Sequence, residues 1–201
     1  MSQIPNHNKI EIKIITLGDS QVGKSSLIFR YIENKFSNNY ITTMGFDIKN
    51  KQITLRDGTE AKLMIFDTAG QERFRSLAQN YIKKANCALL IYDISQRDTF
   101  ENIEKWLGNI KDVGEEMPII LIGNKSDLND KRLVPFEEGK KKAEEYGYPF
   151  FETSCKTGEH VSECFIELAE LVYEKIGIKL IEKSHTILKK NIPKSKKKKC
   201  C

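Results

Sequence analysis

Short apolar runs and helix-spaced apolar positions take turns along most of the chain. Ile10–Leu17 alternates loosely and is rich in β-branched residues; five shorter runs occupy 52–55, 62–66, 88–92, 119–122 and 149–151. Runs this short and this β-branched read as strands. Apolar residues recurring every three to four positions predict helices over 25–32, 99–113, 135–146 and 159–176. Pro135 suits a first helical turn and Gly147 a helix end. Arg56-Asp57-Gly58-Thr59 joins the second and third runs as a hairpin, which makes one strand antiparallel. Elsewhere strands and helices alternate, which calls for parallel strands with helices on both faces. The expectation is an α/β three-layer sandwich around a six-stranded, mostly parallel sheet. With 201 residues and 39% hydrophobic content, one such core uses most of the chain, and no repeat or second domain is visible.

The loops after these strands carry the chemistry. Gly18-Asp19-Ser20-Gln21-Val22-Gly23-Lys24-Ser25, continued by Ser26, fits G-x-x-x-x-G-K-[ST] between the first strand and the first helix. A glycine at each end lets the backbone wrap a phosphate, so that N–H groups and the helix N-terminus donate to the anion. In that pattern Lys24 reaches the β- and γ-phosphates and the Ser25 hydroxyl ligates Mg²⁺. Asp67, at the end of the 62–66 run, is placed to hold the same ion through water, and the Gly70 backbone to sense the γ-phosphate. Gln71 follows. A glutamine amide can orient an attacking water without being a strong base, and Ser20 is small enough to leave that geometry open.

Two further segments choose the base. In Asn124-Lys125-Ser126-Asp127 the Asp127 carboxylate can accept from both guanine N1–H and N2–H₂, a donor pair adenine lacks. Adenine there would leave a buried charge unpaired, which is costly. Asn124 braces the loop, and the Lys125 stem lies along the base. In Ser154-Cys155-Lys156 the Cys155 N–H is placed to donate to guanine O6. Phosphate loop, Mg²⁺ acid and base loop together read as a GTP-dependent switch. An ATPase would share the phosphate loop but not Asn124-Lys125-x-Asp127, and competition between GTP and ATP separates the two.

At these motifs the chain resembles the small Ras-like GTPases, and within them the Rab branch of membrane-trafficking regulators. The resemblance covers residues 9–176 and the C-terminal end, and includes Arg73-Phe74-Arg75-Ser76-Leu77, Leu89-Leu90-Ile91-Tyr92-Asp93-Ile94 and Trp106-Leu107-x-x-Ile110. It implies a Ras-like P-loop NTPase fold over 9–177, a flexible N-terminus over 1–8 and a flexible tether over 178–201. It implies that Thr43 ligates Mg²⁺ and touches the γ-phosphate only in the GTP form, that Phe36 stacks edge-on against guanine, and that Tyr40 covers the phosphates. A second switch then runs over about 70–82, and both segments relax when the γ-phosphate is lost. Lys24, Thr43 and Gln71 form the catalytic set; a nucleotide-locked interaction protein would normally have lost one of them. No arginine in cis is evident, so intrinsic turnover is expected near roughly 10⁻⁴ s⁻¹ until an activating protein assists. Met44, Phe46 and Ile48 depart from the family's usual effector segment, as does Phe66 from its usual Trp.

The five cysteines, Cys87, Cys155, Cys164, Cys200 and Cys201, show no disulfide spacing and no signal-peptide pattern precedes them, which suits the reducing cytosol. No apolar run approaches the length of a membrane span. The net charge of +5 is concentrated: Lys189, Lys190, Lys194 and the lysines at 196–199 put seven positive charges in the last thirteen residues, leaving the remainder mildly acidic. A basic run alone would suit nucleic acid. Cys200-Cys201 argues for a membrane instead, because it resembles the Rab end, where both thiols carry geranylgeranyl groups. Two lipid chains anchor stably where one does not, and the lysines add attraction to an anionic leaflet. The implied location is the cytosolic face of an intracellular membrane, with a soluble cytosolic pool. The implied partners are an exchange factor, a GTPase-activating protein, effectors at switches I and II, and escort and dissociation-inhibitor proteins, with no nucleic acid. A Ras-type signalling role is the softer alternative.

Overall fold

The computed structural model describes residues 10–37, 46–68, 75–114 and 116–190. Six strands form one sheet in the order β2-β3-β1-β4-β5-β6: β1 Ile10–Leu17, β2 Phe46–Thr54, β3 Glu60–Thr68, β4 Cys87–Asp93, β5 Ile119–Asn124 and β6 Phe150–Thr153. Only β2 is antiparallel, to β3; the other four pairings are parallel. The helices are α1 Lys24–Glu33, α2 Arg75–Ile82, α3 Arg97–Glu101, α4 Ile103–Lys111, α5 Phe136–Tyr146 and α6 Val161–Lys190, with a 3₁₀ segment over Ser126–Lys131. This is the expected three-layer architecture.

Alternation along buried strands produces the two covered faces. Ile12 and Ile14 of β1, Leu89 and Ile91 of β4, and Ile120 and Ile122 of β5 pack on one side, with Leu27 and Tyr31 of α1 and Phe165 and Leu168 of α6. Their neighbours Ile15, Leu17, Ala88, Leu90, Ile119 and Leu121 pack on the other, with Phe100 of α3, Leu107 of α4 and Ala143 of α5. Each such Ile or Leu contributes about 1.5–3 kcal/mol by leaving water. Tyr31 and Phe165 stack with ring centroids 4.1 Å apart, locking α1 to α6.

The sheet grows outward from β1 in two directions, through β3 to β2 and through β4 to β6. Loops at the carboxyl ends of the strands therefore converge beside β1, where open α/β sheets place ligands. Reciprocal threonine bonds fix that edge: Thr16 Oγ1 donates to Phe66 O (3.1 Å) and Thr68 Oγ1 to Thr16 O (2.6 Å).

Four boundaries differ from the sequence expectation. The helix expected over 99–113 is two, broken at Asn102. Pro135 precedes α5 in an extended conformation (ψ 146°), while Gly147 ends it at φ 70° as expected. β2 begins at Phe46, six residues early, because its pairing with β3 supplies the order that its polar composition does not. Finally, α6 continues to Lys190 where a tether was expected from 178. No helix among the described residues is long and apolar enough to cross a membrane.

Candidate nucleotide site

Between β1 and α1 the backbone turns through three positive-φ residues: Gly18 (141°), Gln21 (66°) and Gly23 (100°). Successive turns of this kind make a concavity lined by N–H groups, suited to an anion. The two glycines are also required sterically. A Cβ on Gly18 would lie 2.1 Å from Ile91 O of β4, and one on Gly23 would lie 2.3 Å from Asn124 Nδ2. Gly18→Ala is therefore expected to destabilise the fold by about 2 kcal/mol or more, since backbone and not a flexible side chain must yield. A urea midpoint equal to that of the wild type would contradict the close packing of this loop on β4.

Lys24 opens α1 and bends back over the loop. Its ammonium donates to Gly18 O (2.9 Å) and Asp19 O (2.7 Å). Burial lowers its pKa to about 8, opposed by the nearby carboxylates of Asp67 and then Asp19. A buried cation held by main-chain carbonyls inside a ring of N–H groups is suited to meeting phosphate. Ser25 and Ser26 follow, both half-buried, as is Ser20; Gln21 is exposed and Val22 buried in the core. Asp67, buried near the end of β3, is close enough for its charge to act on Lys24. Ser25 hydroxyl and Asp67 carboxylate are hard oxygen donors of the kind magnesium takes, so the residues present fit that ion.

The two segments expected to read the base sit beside the loop. Asn124, at the end of β5 and 1% exposed, donates from Nδ2 to Val22 O (2.7 Å). Its Oδ1 accepts from Thr153 Oγ1 (3.0 Å) and the Cys155 thiol (3.5 Å). One amide thus ties the phosphate loop to the loop after β6. Asp127 Oδ1 accepts from Ser154 Oγ (2.6 Å), which in turn accepts from Thr157 N (3.1 Å). Burial pushes the Cys155 thiol up to about 11, so it stays protonated. Lys125 adopts φ 68°, and its ammonium pairs at 2.6 Å with Asp93, fully buried at the end of β4. Lys156 is exposed, and Phe36, beyond α1, is 39% exposed.

The structure thus brings together residues 18–26, Asp67, Asn124, Lys125, Asp127, Ser154 and Cys155. Tyr40, Thr43, Gly70 and Gln71 lie outside the described residues, as do Cys200 and Cys201. Sequence reasoning missed three supports. Asp93 holds Lys125, and Ser126 Oγ donates to Glu159 Oε2 (2.7 Å). The third is a pair of donors on Asp19, Asn102 Nδ2 (2.7 Å) and Trp106 Nε1 (2.8 Å). Only Asp93, the last acid of an apolar run, carried a local signal.

Comparison with known proteins matches the chain to one family. A model of the Ras family matches residues 13–174. Ras-related protein Rab-1D of Dictyostelium discoideum is 40% identical over 178 residues, covering 88% of this chain and 86% of its own. Ras-related protein SEC4 of Saccharomyces cerevisiae is 42% identical over 82% of this chain and 76% of its own. Human Ras-related protein Rab-37 is 39% identical over 94% of this chain and 85% of its own.

Proposed function

The chain belongs to the Ras family, among its Rab proteins, and we propose that the residues gathered at the carboxyl edge of the sheet work its switch. It is a small GTPase of vesicle trafficking, hydrolysing GTP to GDP and phosphate. The observation that carries the residue-level reading is the Asn124 amide, which joins the phosphate loop to the base loop within one hydrogen-bonded unit.

In this reading the N–H groups of 18–26 and the Lys24 ammonium hold the phosphates. Asp127 and the Cys155 N–H read guanine, Asn124 and Ser154 hold that loop in place, and Lys125, Lys156 and Phe36 enclose the base. Ser25, Thr43 and Asp67 hold Mg²⁺, which when bound neutralises phosphate charge. Thr43, Tyr40 and Gly70 meet the γ-phosphate, and Gln71 orients the attacking water. Exchange factors, activating proteins and effectors act at the switches. Escort and dissociation-inhibitor proteins carry the chain, and geranylgeranyl groups on Cys200 and Cys201 hold it to a membrane with the lysines. The GTPase domain is assigned to 9–177 and the anchor region to 178–201, its first part helical.

Gln71→Leu tests the catalytic part. Leucine cannot orient water, so intrinsic single-turnover hydrolysis should slow by about tenfold or more while nucleotide affinity stays close to wild type. Equal hydrolysis rates for the two proteins would remove Gln71 from the mechanism. The intrinsic rate is the cleaner readout, because an activating partner can bring its own water-orienting group.

A further inference from the structure

Asp19 is a carboxylate in a loop built for anions, and the phosphate chemistry gives it no task. Both of its oxygens are engaged: Asn102 Nδ2 donates to Oδ2 at 2.7 Å and Trp106 Nε1 to Oδ1 at 2.8 Å. We propose that Asn102 and Trp106 are positioning residues that hold the Asp19 carboxylate against α4, so that the loop presents donors and not a negative charge to bound phosphate. The proposal rests on reading 18–25 as the phosphate loop and assigns a device within it.

The break between α3 and α4 makes the arrangement. Asn102 caps α3 by donating its N–H to Asp98 O (2.9 Å), and its own carbonyl accepts from Trp106 N at 3.2 Å. The two side chains stand four residues apart, hence on one helix face. Ile103, Leu107 and Ile110 bury the neighbouring face of α4 in the core, so the donors are held rigidly. An indole N–H donates and cannot accept, and Trp106 is only 9% exposed, which makes a carboxylate the fitting partner. Asp19 meanwhile uses its main-chain carbonyl to accept from Lys24 Nζ at 2.7 Å. One residue therefore links the two: its side chain is fastened to α4 and its backbone to the phosphate-facing lysine. Releasing the side chain would free a negative charge next to the phosphates and loosen the Lys24 anchor.

The test uses the purified full-length chain loaded with a fluorescent GDP or GTP analogue, and measures release into excess unlabelled nucleotide. Trp106→Phe keeps the ring in the core and removes only the N–H; Asn102→Ala removes the other donor from a half-buried helix break. Each should speed release by about tenfold, the worth of one lost hydrogen bond to a charged group. The acceleration should be larger for the triphosphate and should shrink as salt is raised, because it is a repulsion between charges. In an Asp19→Ala background neither substitution should change release further. Acceleration of equal size with and without the Asp19 carboxylate would overturn the proposal, as would unchanged release in both single variants. Should Trp106→Phe fail to fold, Asn102→Ala carries the same comparison. A wild type that held no guanine nucleotide would overturn the nucleotide-site reading along with the clamp. Normal wild-type binding with Asp19-independent effects would overturn the clamp alone.

Discussion

Asp127→Asn is expected to weaken GTP and GDP binding by a factor on the order of a thousand and to turn the site toward xanthosine nucleotides. In the proposed role the carboxylate is a double acceptor for guanine N1–H and N2–H₂, and each charge-assisted bond would contribute about 1.5–3 kcal/mol. An asparagine amide keeps one acceptor but aims a donor at the N2 amino group, so one bond becomes a clash of donors. In xanthine the amino group is an oxygen, and the same donor then has a partner. The loop itself should survive the change. Asp127 Oδ1 accepts from Ser154 Oγ at 2.6 Å, a bond the asparagine oxygen can retain, and Asn124 still ties the phosphate loop to Thr153. Titration of guanosine and xanthosine diphosphates against both proteins distinguishes the outcomes. Undiminished GDP affinity in the variant would exclude Asp127 as the guanine reader; loss of both nucleotides with a lowered unfolding midpoint would show that it only holds the loop.

What sequence could show and what it could not divide along physical lines. The buried strands announce themselves because both faces of β4, of β5 and of the second half of β1 are largely apolar, and their runs need no knowledge of partners. The edge strand β2 does not, since Asp47, Lys49 and Asn50 face solvent and only the nine-residue register with β3 defines it. The break at Asn102 was invisible because the apolar spacing of α3 runs on into α4 without interruption. The side chain at the break bonds to Asp19, 83 residues earlier, a contact that no local pattern carries. Likewise α6 passes through Gly177, a residue that costs about 1 kcal/mol in a helix and reads as an end. The site follows the same division. Residues 18–25 and 124–127 are legible because their chemistry is local to a loop, whereas the Asp93–Lys125 ion pair and the Asp19 clamp exist only after the sheet has assembled.

The second large effect is expected at the other end of the chain, where the proposed anchor assigns lysines and thiols separable contributions to membrane binding. Replacing both Cys200 and Cys201 by serine should move the protein from the membrane fraction to the soluble fraction at ordinary salt. The comparison of energies explains why. Each prenyl chain contributes about 0.8 kcal/mol per buried CH₂ and two chains together anchor stably, while a single chain binds marginally and reversibly. The lysines at 196–199 contribute roughly 1 kcal/mol apiece at an anionic leaflet, and that attraction is screened within about 8 Å at physiological ionic strength. Wild type should therefore stay with membranes through a high-salt wash, which removes the lysine contribution and leaves the lipid. A single serine should give intermediate, reversible binding. Neutralising 196–199 should change the choice of membrane, or the speed of arrival, more than binding itself. If the lysines alone did the work, the double serine variant would remain membrane-bound and salt would release wild type and variant alike. Fractionation at two salt concentrations, with mass spectrometry of the C-terminal peptide, separates these cases. An unmodified Cys200-Cys201 peptide from membrane-bound wild type would end the lipid reading while leaving the GTPase domain untouched, because the described residues gathered at the nucleotide site all lie before 157.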